Sequence, residues 1–262
     1  MSASETHTAR ATRLVARARH VETWRPYWTL SLYPDASEAG GCLRVPQGSG
    51  GAYRSTDSER AAVEAARRAR TKIRRYGVAN RLNRLGTLTY AGSGCHDPRQ
   101  LREDIAAFFK GLRPALGGGP LPYVWVPEWH ASGHGLHVHF EVGRYVPQTL
   151  IRDTWARGHV HIKLLGDLPV GSGVVGEARL AARYLCKYVG KGFDDERRSA
   201  GLHRYEVAQG FQPERVTFKG RTNEDVIEQA SERMGSAPEI VWNSSEAEGW
   251  RGPPACWVAW GD

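Results

Sequence analysis

Apolar residues recur along this chain with two periods, and the switches between them mark out its elements. Alternation with a period of two runs through RLGTLTYAG (84–92), LPYVWVPEW (121–129), GLHVHFEVG (135–143) and HVHIKLL (159–165), which read as strands. Between them the period lengthens to that of a helix. DPRQLREDIAAFFKGLRP opens with Asp97 as a cap and Pro98 in the first turn, and sets Leu101, Ile105, Phe108 and Leu112 on one face. Ahead of the first strand, Ala62, Ala66, Ala69, Ile73 and Tyr76 share a face of a helix that starts near Ser58, with Gly77 as its stop. VPQTLIRDTWARG is a third helix, begun by Pro147 and ended by Gly158. GEARLAARYLCKYVGKG is a fourth, with Ala178, Ala182, Leu185 and Val189 on its apolar side.

The two strands at 121–129 and 135–143 are joined by HASGH alone and form a hairpin. The order is thus strand, helix, hairpin, helix, strand, helix. It predicts an α+β fold with a ferredoxin-like or RRM-like split βαβ core, a central antiparallel sheet with helices on one side. Residues 1–54 read as an arm with one strand, Tyr27–Tyr33, and a loop from GGCLRVPQGSGGAYRS. Residues 55–235 hold the main domain, including the basic helix at its start and a last helix in NEDVIEQASERMG. Residues 236–262 are a tryptophan-rich tail without an assigned element.

Charge changes the picture next. The 262 residues carry a net charge of +8, most of the cations being arginine, which forks onto phosphates. Arg67, Arg68, Arg70, Lys72, Arg74, Arg75, Arg81 and Arg84 follow one another with no acid among them, a stripe suited to a nucleic-acid backbone. No apolar run is long enough to span a membrane, and MSASETHTARATRL lacks the apolar centre of a signal peptide. Cys42, Cys95, Cys186 and Cys256 lie far apart, in neither a zinc-knuckle nor a disulfide pattern. These features point to a cytoplasmic protein with an anionic partner.

Candidate chemistry begins in LHVHFEV. On a strand, His137, His139 and Glu141 face one way while Leu136, Val138, Phe140 and Val142 face the other. If the hairpin turns between Ser132 and Gly133, Glu128 lies opposite His137 on the same face. Two imidazoles and a carboxylate suit Mn²⁺ or Mg²⁺ on a phosphate oxygen, and the nitrogens also permit Zn²⁺. Pro127 allows a bulge at this point, so Glu141 stands as a second candidate for the third ligand. His159 and His161 repeat the His-Val-His spacing but have no carboxylate brought up by a short hairpin; an exposed polar strand face is their expected role.

YLCKYVGK adds a nucleophile. Tyr184 and Tyr188 stand one turn apart, followed three residues later by Lys187 and Lys191, away from the apolar face. A phenol is a poor nucleophile near neutral pH, its pKa being about 10. A cation on a phosphodiester, with lysines around it, makes phosphoryl transfer to tyrosine feasible.

These residues resemble the HUH endonucleases, in particular the two-tyrosine rolling-circle replication initiators of small plasmids and single-stranded DNA phages. GTLTY (86–90) resembles their first motif, GLHVHFEV their His-hydrophobe-His motif, and YLCKYVGK their tyrosine motif, over about residues 55–212. The resemblance implies His137 and His139 as metal ligands with Glu128 as the third, Tyr184 as first and Tyr188 as second nucleophile, and Lys187 at the phosphate. Lys191 joins the arginines as a DNA contact. It implies a divalent cation, Mn²⁺ or Mg²⁺, and an origin nicked in single-stranded form. The implied partners are the host replication helicase and polymerase, with no membrane. A two-tyrosine transposase shares the motif, and a non-catalytic single-strand binding module would share the fold.

Overall fold

The computed structural model describes residues 25–46, 58–164, 173–191, 204–250 and 252–261. The arm before residue 25, the Gly192 end of the fourth predicted helix and the side chain of Lys191 lie outside this description. The chain is α+β, with two antiparallel five-stranded sheets in two compact units.

The unit that carries the chemistry contains α1 (Ser58–Ala79), β3 (Arg84–Tyr90), α2 (Pro98–Ala115), β4 (Tyr123–Trp129), β5 (Leu136–Val142), α3 (Gln148–Trp155), β6 (Gly158–Leu164), α4 (Gly173–Lys191) and the short β7 (Glu206–Val207). Its sheet runs in the order β6-β3-β5-β4-β7. On one face Leu88, Trp125, Val138 and Phe140 pack with Ile105 and Phe108 of α2 and Ile151 and Trp155 of α3. On the other, Leu85, Val124 and Val126 pack with Ile73 and Tyr76 of α1 and Leu185 and Val189 of α4.

Helices therefore cover both faces, not one as the alternation suggests. The reason is visible in β5, where all seven residues are buried although every second one is polar. A face of Thr, His and Glu reads like a wet surface, but here α4 lies over it.

Gly77 does not stop α1, which continues to Ala79. Arg81 then turns the chain in the left-handed region (φ 56°), and Leu82 donates its N–H to Gly77 O. Gly86 is a tighter case. A Cβ there would come 2.2 Å from the ring of Phe140, its partner across β3 and β5. Gly86→Val should destabilise this unit by about 1–3 kcal/mol through overpacking, read as an earlier urea midpoint at unchanged slope.

The second unit joins the arm to the tail. Its sheet, in the order β8-β1-β2-β10-β9, is built from β1 (Tyr27–Tyr33), β2 (Glu38–Arg44), β8 (Val216–Gly220), β9 (Ile240–Asn243) and β10 (Ala255–Ala259). The glycine-rich stretch predicted as loop is strand from Gly40 to Arg44. Gly41 belongs there because a Cβ would meet the backbone of Thr29 and Leu30 in β1. The tryptophan-rich tail supplies β9 and β10, and α5 (Asn223–Met234), capped by Thr222, packs its Val226 and Ala230 on the core of this sheet. Residues 214–235 thus group with arm and tail and not with the main domain.

Candidate active site

The hairpin of β4 and β5 places Glu128 directly opposite His137, with Pro127 opposite Val138 and no slip in register. Proline is tolerated because β7 pairs only with Val124 and Trp125, which leaves no described strand beside Pro127. Glu128 Oε2 lies 3.0 Å from His137 Nε2 and 2.8 Å from His139 Nε2, and the two nitrogens are 3.0 Å apart. Both histidines are buried, and the glutamate is nearly so.

Three ligand atoms so close would surround a small cation. Bonds of about 2.0–2.2 Å from a common centre bring their outer atoms to roughly this separation. His139 Nδ1 lies 3.1 Å from Thr87 Oγ1 of β3. When Nδ1 donates to that hydroxyl, Nε2 turns its lone pair toward Glu128 and His137, a convergence of negative density that a cation relieves. Glu128, His137 and His139 form a group able to hold a metal ion.

Glu141 does not join them. It lies in register with Leu85 and Val124, fully buried, and neither carboxylate oxygen has a hydrogen-bond partner among the described residues. Burial holds its carboxyl well above the ordinary value. The choice between the two glutamates is thereby made by geometry: Glu128 reaches the imidazoles.

Helix α4 brings the tyrosines over the same face. The ring of Tyr188 stacks on His139 at 3.5 Å and 15°, and the ring of Tyr184 stands 5.7 Å from that of Tyr188. Burial pushes the Tyr188 phenol up, helped by its hydrogen bond to Tyr184 and by the charge of Glu128. Tyr184 has two ammonium groups beside its ring, Lys187 Nζ at 5.0 Å and Lys163 Nζ at 5.6 Å. Ala178, Ala182, Leu185 and Val189 are buried on the opposite side of the helix, as their spacing requires.

The basic residues of α1 form two rows and not a single stripe. Arg67, Arg70 and Arg74 follow one side of the buried face of Ala66, Ala69 and Ile73; Arg68, Lys72 and Arg75 follow the other. Arg67, Arg68, Arg70 and Lys72 are exposed, whereas Arg74 and Arg75 are half-buried. Arg81 donates to Val78 O and Arg84 to Asn83 Oδ1. Neither Thr87 nor Lys163 was marked as a site residue by the sequence. Both lie on strands whose pairing with β5 or proximity to α4 is non-local, although Lys163 shares the alternation of His159 and His161.

Residues 83–193 match a family model of replication-associated proteins of the ORF2 type. The matched stretch runs from the residue before β3 to just past α4 and contains the His-His-Glu group and both tyrosines. It supports a Rep-type replication initiator. No curated protein and no solved structure matches the chain. Among the described residues, no helix is long and apolar enough to cross a membrane.

Proposed function

We propose that this protein nicks single-stranded DNA at a replication origin by attack of a tyrosine on a phosphodiester. The observation that carries this reading is the stacking of Tyr188 on His139, which sets a tyrosine pair against the cluster of Glu128, His137 and His139. A cation bound there, Mn²⁺ or Mg²⁺, would neutralise charge on the scissile phosphate and make the phosphorus more electrophilic. The phenol oxygen forms the new bond to phosphorus, and the bond to the 3′-oxygen breaks. The phenolic proton is lost and the departing oxygen takes one up. The products are a 5′-phosphotyrosyl link and a free 3′-hydroxyl, from which host helicase and polymerase can extend.

Tyr184 is assigned as first nucleophile, because Lys187 and Lys163 stand beside it to balance charge on the phosphate and on the departing oxygen. Tyr188, whose phenol is held protonated by burial and by Tyr184, is assigned to the second transfer that rejoins the strands. Arg67, Arg68, Arg70, Lys72, Arg74, Arg75, Arg81, Arg84 and Lys191 are assigned to the DNA backbone. The match to a replication-associated family favours replication over transposition as the setting.

The test uses single-stranded DNA carrying the origin, with Mn²⁺ or with EDTA. A covalent adduct that needs the cation and is lost in Tyr184→Phe/Tyr188→Phe is expected, resolved by denaturing electrophoresis. Tight binding to a cleavable origin with no adduct from the wild-type protein would sink the reading.

A further inference from the structure

The second His-Val-His pair lies in register with the first. Pairing of β6 with β3, and of β3 with β5 and β5 with β4, aligns three rows across one sheet face. The first row is His159, Thr89, His137 and Glu128. The next is His161, Thr87, His139 and Val126, and the third is Lys163, Leu85, Glu141 and Val124. His159, His161 and Lys163 therefore stand on the same face as the metal-ligand group, two strands away and separated from it by threonines or leucine. β6 is an edge strand, and all three residues are exposed. Lys163 reaches Tyr184.

We infer that His159, His161 and Lys163 form a phosphate-binding row that receives single-stranded DNA and leads it to Tyr184. Alternate residues of a strand recur at about 6.6 Å, an interval comparable with that of successive phosphates in an extended single strand. Imidazole N–H groups donate to phosphate oxygens, and the Lys163 ammonium adds a full charge at the end nearest the tyrosine. The intervening Thr87 and Thr89 are small enough to leave the path over β3 open to a sugar-phosphate chain. The inference rests on the nicking reading for its direction, but the row itself is a binding surface that can be measured without cleavage.

The experiment is fluorescence anisotropy of a labelled oligothymidylate with the full chain in EDTA, over a range of salt. His159→Ala/His161→Ala/Lys163→Gln is expected to bind at least about tenfold more weakly. Lys163→Gln alone should flatten the dependence of log K on log salt by about 0.7, the loss of one single-strand phosphate contact, and Lys163→Arg should restore it. If the triple variant melts early, Lys163→Gln and His161→Gln, both at exposed positions, give the same readout singly. A variant that melts like the wild type and binds within about twofold of it would overturn the row. The adduct assay keeps the two readings apart. Wild-type protein that binds through the row but forms no adduct overturns nicking alone. A triple variant that binds and forms adduct as the wild type does overturns the row alone.

Discussion

Alanine in place of His139 is expected to weaken divalent-cation binding by more than about a hundredfold, the upper end of what loss of a merely supporting hydrogen bond costs. His139 is the most connected residue of the cluster. Its Nε2 faces both Glu128 and His137, its Nδ1 meets Thr87, and its ring carries Tyr188. Thr87→Val removes only the outer hydrogen bond and should cost about 10–100-fold. Titration calorimetry with Mn²⁺ orders the two variants. A second readout is thermal: cation at a hundredfold excess over its Kd stabilises the wild type by about 2.7 kcal/mol, and His139→Ala should lose that increment. Without cation it should melt close to the wild type, since the exchange also removes one of three crowded ligand atoms. Equal Mn²⁺ affinity in His139→Ala and wild type would refute the assignment of these ligands.

Glu141→Leu is expected to raise stability by about 1–3 kcal/mol near pH 8, because a buried carboxyl without a partner is costly and leucine is not. The sign with pH follows from its raised folded-state value. In the unfolded chain Glu141 ionises near the ordinary 4.5, whereas the folded state holds the proton to much higher pH. As pH rises past 4.5 the unfolded state gains from ionising and the folded state does not, so wild-type stability falls through that range. The leucine variant lacks this loss. Urea melts at pH 4 and pH 8 should show the difference between the two proteins shrink at the lower pH. A gap that is constant or widens toward acid would contradict the burial of an unpaired carboxyl.

Much of the core unit is legible along the chain because its elements are local. Pro98 and Asp97 start α2, and the alternation in LHVHFEV sets both histidines on one face. The short HASGH connection is enough to bring Glu128 opposite His137. The arm and tail were harder. β1 finds β2 nearby, but β8 and β10 come from the far end of the chain, and periodicity carries no information on such pairings. The glycines of β2 also hide it, since they serve close strand approach and not a turn.

Local sequence determined which residues could meet a cation and which could attack a phosphate: His137, His139 and Glu128 through one hairpin, Tyr184 and Tyr188 through one helical turn. Tertiary structure decided everything that depends on one element lying over another. It laid α4 on the polar face of the sheet, so that Tyr188 rests on His139 while Glu141 is sealed beneath with no hydrogen-bond partner among the described residues. It also aligned His159, His161 and Lys163 with the metal-ligand row across β3. The physical reason is range: alternation and turn length act over a few residues, whereas sheet order and helix docking are set by apolar faces far apart in sequence.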